Sequence, residues 1–111
     1  MQSVTRDELK TMNEAMHEDF VLINVLPRAT FNEQHIRTSI DIPLEREDFT
    51  ELVDLVSGGK QRKIVVYCAS FDCDASPKAA GKLEEAGFTA VYDHEGGTKD
   101  WLGKKEAESF A

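Results

Sequence analysis

The stretch 63–88 constrains the fold most strongly, because a buried strand, a short loop and a helix follow one another within it. Residues 64–67 form a continuous β-branched and aromatic run, which is typical of a strand covered on both faces. Ser76 followed by Pro77 predicts a helix N-cap with proline at the first helical position. Cys68 therefore lies between a strand end and a helix start, where open α/β sheets usually bind their ligands.

Strand-like and helix-like segments alternate along the whole chain, and Thr5 with Glu8 has the spacing of a helix capping box. Besides the helix after Ser76, helices are predicted at 5–17, 29–35, 46–57 and 98–108, and strands at 20–25, 39–43, 64–67 and 89–93. Side chains expected to face the core include Phe31, Phe49, Leu52, Val53, Val56, Tyr67 and Trp101. The alternation predicts an α/β fold with a mostly parallel central sheet of about five strands and helices on both faces.

The size and charge of the chain limit its class and its partners. A length of 111 residues suits one domain over 1–111. The net charge of -8 argues against binding to nucleic acid or to an anionic membrane, both of which need a basic surface. The sequence has no apolar run of membrane-spanning length and no apolar N-terminal segment of the signal-peptide kind, so we expect a cytoplasmic protein.

Four short sequence blocks occur in an order and spacing that resemble one known family. They are Leu22 to Val25 with Phe31 and His35-Ile36, Ile40 to Pro43, Val65 to Cys68 with Ala79, Ala80 and Leu83, and Glu95-Gly96-Gly97 with Trp101. Together they resemble the single-domain rhodanese-like (thiosulfate sulfurtransferase) family over nearly the full length of the chain. The resemblance implies one rhodanese-like domain over 1–111.

The resemblance further implies a persulfide enzyme with Cys68 as its catalytic nucleophile. In the family, the thiolate at this position attacks a sulfane-sulfur donor such as thiosulfate, holds the sulfur as a persulfide, and passes it to an acceptor thiol or cyanide. The N–H groups of the following loop point at the bound sulfur. This implies substrate binding by the backbone of the loop residues Ala69, Ser70, Phe71, Asp72 and Asp74. Converging amides and a helix N-terminus stabilise a thiolate without a metal or another cofactor.

Three departures from the family pattern bear on the substrate. The first strand ends in Asn24-Val-Leu26, where the family has Asp-Val-Arg. The loop has Phe71 and Cys73 where a glycine and an arginine are common, and it is two residues longer. Related members that bind phosphate need a loop arginine, whereas no arginine follows Arg62 and two aspartates stand in the loop. We therefore expect no phosphatase activity, and we expect protein persulfides or low-molecular-weight thiols to react better than thiosulfate.

Cys73 admits two interpretations. It is either a resolving thiol that attacks a Cys68 persulfide or sulfenate to form a disulfide, or a loop residue without chemistry. A metal site with a histidine is a third alternative, but the cysteine spacing fits no common zinc pattern. We expect His35 to be structural and hydrogen-bonded to backbone, His94 to be exposed to solvent, and Phe71 to be exposed at the loop tip.

The sequence thus predicts a cytoplasmic rhodanese-like sulfurtransferase or persulfide carrier that uses a sulfane-sulfur donor and a thiol acceptor. It predicts no cofactor, no metal, and neither nucleic acid nor a membrane as a partner. Two alternatives remain open at this point. One is a catalytically idle rhodanese-fold module that docks a partner protein through its loop, and the other is a Cys68–Cys73 dithiol redox switch without sulfur transfer. The sequence leaves the oligomeric state undefined.

Overall fold

The computed structural model describes the backbone of residues 1–14 and 19–110, and the side chains of residues 1–14 and 19–103. At its centre is a five-stranded sheet in which all neighbouring strands run parallel. The strands are β1 (Gln2–Ser3), β2 (Phe20–Asn24), β3 (Ile40–Asp41), β4 (Lys63–Tyr67) and β5 (Val91–His94), in the spatial order β1-β5-β4-β2-β3. The predicted α/β fold is confirmed, although the sequence does not predict β1, which is too short to show a period.

Helices connect the strands in the described part of the chain. They are α1 (Arg6–Glu14), α2 (Arg28–Glu33), α3 (Phe49–Ser57), α4 (Ala75–Glu85) and α5 (Gly97–Phe110). The predicted capping box of α1 is confirmed: the Glu8 N–H donates to Thr5 Oγ1 (3.1 Å), and the Thr5 N–H donates to Glu8 Oε1 (3.0 Å). The predicted end of this helix at residue 17 lies outside the described residues. No helix in the described ranges is both long and apolar enough to cross a membrane.

β4 lies in the middle of the sheet, and its side chains alternate between two apolar clusters. Ile64 and Val66 pack into the cluster that includes residues of α3 and α4. Val65 and Tyr67 pack into the cluster that includes residues of α1 and α5. Because successive side chains of a strand point to opposite faces, a strand with helices on both sides must be apolar at every position. This explains the uninterrupted apolar run that predicts the strand.

Two side chains predicted to face the core do not reach it. Phe31 is only partly buried, and its ring stacks on the ring of His35 with centroids 3.9 Å apart. Val56 near the end of α3 is 43% exposed. The buried side of α3 consists of Phe49, Val53 and Ser57, and Val56 lies outside it. The predicted core positions of Tyr67 and Trp101 are confirmed.

The hydroxyl of Tyr67 joins β4 to the segment that leads into β3. It accepts a hydrogen bond from the Ile36 N–H (3.0 Å) and lies 2.6 Å from Ser39 Oγ. Ser39 Oγ in turn donates to the Ile36 carbonyl (2.6 Å), so Tyr67 is the donor to Ser39. Burial raises the pKa of Tyr67, which keeps the hydroxyl protonated as this network requires.

We expect Tyr67→Phe to lower the free energy of unfolding by about 1–3 kcal/mol, because the Ile36 N–H loses its buried partner. Urea unfolding followed by circular dichroism measures this change. Tyr92→Phe on β5 is the matched control, since Tyr92 is only partly buried, and it should change stability by less than about 0.5 kcal/mol. Equal stability of the two variants would contradict the proposed role of the network.

Candidate active site

The position of Cys68 follows from the alternation of β4. Cys68 continues the row of Ile64 and Val66, so its side chain lies on the α3 and α4 side of the sheet. It directly follows the carboxyl end of the central strand and is fully buried at 0% exposure. The predicted strand-cysteine-loop-helix arrangement is therefore present, with the thiol beneath the N-terminal end of α4.

The start of α5 holds the backbone that follows β4. The Thr98 N–H donates to the Cys68 carbonyl and the Lys99 N–H donates to the Ala69 carbonyl, both at 2.9 Å. Gly97 makes this approach possible. It has a φ of +65°, and a Cβ atom on it would collide with the backbone of Cys68 and Ala69.

The loop 69–74 folds back on itself before α4 begins. The Cys73 N–H donates to the Ser70 carbonyl (3.1 Å), and the Asp72 N–H lies 3.3 Å from Ser70 Oγ. Phe71 is 70% exposed at the loop tip, as predicted. Asp74 precedes α4 and forms an ion pair with Lys78 (3.0 Å), which lowers the pKa of its carboxyl. The two loop aspartates are exposed to solvent and do not enter the core.

Ser76 has a different role from the one that the sequence predicts. α4 begins at Ala75, two residues before the predicted first helical residue Pro77, so Ser76 lies inside the first turn and is not the N-cap. Its side chain is buried, and its Oγ lies 3.5 Å from the Cys68 sulfur, which donates to it. The Cys68 thiol also points at the Cys73 carbonyl, 3.6 Å away. As a thiol, Cys68 thus donates to two oxygen atoms, whereas the Ser76 hydroxyl and N–H lower the pKa of Cys68 by stabilising its thiolate.

The two cysteines interact, and their acidities move in opposite directions. Burial raises the pKa of the Cys68 thiol, and its hydrogen bond to Cys73 raises it further. Burial alone also raises the pKa of Cys73, but three hydrogen bonds outweigh it and hold that pKa below its ordinary value. These bonds come from the Cys68 thiol and from the backbone N–H groups of Ala69 and Ala75. Of the two thiols, Cys73 is therefore the one that loses its proton first.

A buried carboxyl group lies behind Ser76. Asp93 on β5 has no exposed surface, and neither of its carboxylate oxygens has a hydrogen-bond partner. Burial raises its pKa, and the facing Ser76 hydroxyl opposes that shift. Cys68, Ser76 and Asp93 thus form a row from the end of β4 to β5. The sequence gives no signal for this row, because Asp93 reads as the polar end of a strand.

Two clefts border the loop, with volumes of about 490 Å³ and 400 Å³. Ser70 and Lys99 line both clefts. Lys99 is exposed in the first turns of α5, so it brings a cation to a loop that has no arginine. Arg28 is the arginine nearest in sequence to the missing family position. It pairs with Asp41, because its Nε donates to Asp41 Oδ2 at 2.8 Å. The sequence pattern does not single out Lys99.

The structure also bears on the predictions made for the two histidines and for a metal site. His35 Nδ1 hydrogen-bonds to the Phe31 carbonyl (2.8 Å), which confirms its predicted backbone contact. The prediction for His94 is wrong: it is 1% exposed, and its Nδ1 donates to the Val4 carbonyl at 3.0 Å. It is buried because β5 lies between β1 and β4, with helices above and below. Over the described residues, no three histidine, cysteine or carboxylate side chains are grouped to hold a metal ion.

Comparisons with known proteins agree with the geometry. A family model described as the rhodanese-like domain matches residues 5–104. The chain is similar to tRNA uridine(34) hydroxylase from Escherichia coli (strain K12 / DH10B), at 25% identity over 95 residues, and to the protein of the same name from Enterobacter sp. (strain 638), at 28% over 82 residues. The alignments cover 83% and 71% of this chain. They cover 26% and 23% of the relatives, so the chain spans about a quarter of their length.

Solved structures show the same fold. A crystal structure of a protein from Anabaena sp. matches with a TM-score of 0.78 and 30% identity, over 91% of this chain and 86% of that chain. A structure described as rhodanese with anions from E. coli matches with a TM-score of 0.62 and 28% identity, over 73% and 89% of the two chains. Thiosulfate sulfurtransferase from Pseudomonas aeruginosa has a TM-score of 0.80 at 19% identity, which shows the fold alone.

The pKa of Asp93 leads to a prediction about stability and pH. A carboxyl with a raised pKa in the folded state contributes stability below its unfolded pKa of about 3.9, and loses it as pH rises through the folded value. Asn is neutral at every pH and similar in shape. We therefore expect Asp93→Asn to be more stable than the wild type at pH 8, by about 1–3 kcal/mol, with a smaller advantage at pH 5.

Urea unfolding of both proteins between pH 5 and pH 8 measures this difference. Asp72→Asn is the matched control, because Asp72 is exposed, and it should follow the wild type. A loss of stability in Asp93→Asn of the same size at all pH values would show that the carboxylate makes a favourable contact instead.

Proposed function

Because the chain belongs to the rhodanese-like domain family, we propose that it is a sulfurtransferase or persulfide carrier that moves sulfane sulfur to a thiol acceptor. One observation carries the proposal. Cys68 stands at the carboxyl end of the central strand, and its thiol donates to the backbone carbonyl of Cys73 (3.6 Å), a second cysteine on the same short segment before α4. In this proposal Cys68 has the family position for the persulfide, and Cys73 is the second catalytic thiol.

The chemistry needs only the loop and two substrates. A loop thiolate attacks the outer sulfur of the donor, the S–S bond of the donor breaks, and the leaving group departs with the electron pair. With thiosulfate the leaving group is sulfite, and with a persulfide it is a thiolate. An acceptor thiolate then attacks the outer sulfur of the protein persulfide and restores the loop thiolate. The N–H groups of the loop and the start of α4 stabilise the negative sulfur at each stage.

The charges around the loop bear on the donor. Asp72 and Asp74 are exposed near the loop tip, and Asp74 is partly neutralised by Lys78. Lys99 lines both clefts beside the loop and attracts anions. One exposed lysine does not provide the bidentate grip of an arginine on a phosphate group. These charges favour singly charged persulfides over thiosulfate as the sulfur donor. They argue against phosphatase activity.

The other two interpretations each have one observation in their favour. The contact between the thiols of Cys68 and Cys73 also suits a dithiol redox switch, which would form the same disulfide without a sulfur donor. The 70% exposure of Phe71 suits a module that docks a partner protein through the loop tip. The redox switch does not account for the match of residues 5–104 to the rhodanese-like domain, and the docking module does not account for a cysteine at the position of the family nucleophile.

Intact-mass spectrometry tests the proposed function. After incubation with glutathione persulfide, polysulfide or thiosulfate, we expect the wild type to gain the mass of one sulfur atom, most rapidly with the persulfide. The adduct should disappear when a thiol acceptor is added. A variant with both Cys68→Ser and Cys73→Ser should gain no sulfur. Absence of the adduct with all three donors would refute the proposal and leave the redox switch and the partner-docking module.

Lys99→Ala tests the role of the cation beside the loop. We expect the loading rate from thiosulfate to fall about twofold to fivefold at low salt, and the difference to fade in high salt as the charge is screened. Lys10→Ala makes the same change in net charge on α1, far along the chain from the loop, and should leave the rate unchanged. Equal effects of the two variants would show that only net charge matters.

A further inference from the structure

The two thiols of the loop differ in how a donor can reach them. Cys68 has no exposed surface, whereas Cys73 is partly exposed at the edge of the apolar cluster that contains Cys68. A thiolate attacks a disulfide-type sulfur by direct contact of the two sulfur atoms. In this conformation Cys68 offers no surface to a donor molecule in solution, whereas Cys73 is partly open to it.

The hydrogen bonds around the two thiols also favour Cys73 as the thiol that reacts with the donor. The Cys68 thiol donates toward the Cys73 carbonyl and Ser76 Oγ, at 3.6 Å and 3.5 Å. A thiolate at Cys68 would face that carbonyl oxygen without a proton between them. The Ser76 hydroxyl and N–H lower the pKa of Cys68, but its burial and the neighbouring Cys73 outweigh them. The Cys73 sulfur instead accepts from the N–H groups of Ala69 and Ala75, and Ala75 is the first residue of α4. Negative charge is therefore better stabilised on Cys73.

From this geometry we infer that Cys73 is the thiolate that takes sulfur from the donor, and that Cys68 receives the sulfur in a second, internal step. The inference rests on the proposed function and adds the order of the two thiols. It reverses the assignment in which Cys68 attacks first and Cys73 only resolves. The family position of the persulfide is kept, because the sulfur arrives there from Cys73.

Both steps balance without a further reactant. In the first, the Cys73 thiolate bonds to the outer sulfur of a donor persulfide, the S–S bond of the donor breaks, and a thiolate leaves. In the second, the Cys68 sulfur bonds to that same outer sulfur while the bond to Cys73 breaks. The Cys68 proton moves to the transferred sulfur, and Cys73 leaves as a thiolate, ready for another donor.

The charged and titratable groups near Cys73 agree with the order. Those that act on it are the Cys68 thiol from the end of β4 and Asp74 from the start of α4. The Cys68 thiol donates a hydrogen bond and lowers the pKa of Cys73, whereas the Asp74 carboxylate raises it. The ion pair of Asp74 with Lys78 moderates that opposition.

Single-cysteine variants test the order. Each is incubated with glutathione persulfide, and the adduct is located by digestion and mass spectrometry. We expect Cys68→Ser, which keeps a hydroxyl donor beside Cys73, to load one sulfur on Cys73 at a rate close to that of the wild type. Cys73→Ser should load Cys68 about tenfold more slowly or not at all, since a buried neutral thiol remains. Leu55→Ala, at a side chain of α3 that is 77% exposed and outside the loop, is the control and should load like the wild type.

The outcomes separate the inference from the function on which it rests. No adduct on the wild type refutes the sulfur-transfer function itself. An adduct on the wild type together with normal loading of Cys68 in Cys73→Ser overturns the order alone. Circular dichroism spectra that match the wild type show that the variants are folded.

The pH dependence of alkylation tests the contribution of Cys68. The rate of Cys73 alkylation by iodoacetamide follows its thiolate fraction. Loss of the hydrogen bond in Cys68→Ala should move the profile of this rate to higher pH by about one to two pH units. Cys68→Ser keeps a hydroxyl donor at the same place and should move it less. Identical profiles for the wild type and both variants would overturn the role of Cys68 as the hydrogen-bond donor to Cys73.

Discussion

The backbone contact between the start of α5 and the residues after β4 fixes the geometry of the site. Two N–H groups of the first turn of α5 donate to the carbonyls of Cys68 and Ala69. Carbonyls at the end of a central strand have no further strand partner, and buried ones need a donor. Gly97 permits the contact because its positive φ and missing side chain let the two backbones meet. The direction in which the loop leaves the sheet depends on this contact.

Much of this arrangement could be predicted from the sequence, for identifiable reasons. An apolar run with a cysteine at its end requires a central strand whose last residue falls at the sheet edge where sites form. The capping box of α1 and the glycine after α3, with a φ of 75° at Gly58, are local signals that need no tertiary information. These signals located the strand, the loop and the thiol, and the family blocks added the order of the elements.

The remaining features depend on neighbours that local patterns do not specify. Ser76 was predicted as a cap, but the helix starts two residues earlier, and the Ser76 side chain points inward to the Cys68 sulfur. Asp93 was predicted to end a strand, and His94 was expected to be exposed to solvent. They are buried because their strand is interior to the sheet, a property of strand order. Likewise, Lys99 reaches the loop only because α5 is docked beside it. In each case tertiary packing decides the role of a residue whose type suggests another.

The short loop keeps two thiols together, and this has a kinetic consequence. Cys68 and Cys73 are held in hydrogen-bonding contact, with the Ser70 carbonyl and α5 restricting the backbone between them. Each sulfur therefore meets the other at the high effective concentration of an intramolecular partner, far above that of free thiols in solution. A sulfur atom on one cysteine is then short-lived unless it is passed on. A protein of this design suits rapid relay between molecules that it meets briefly, and it is poorly suited to long-term storage of sulfur.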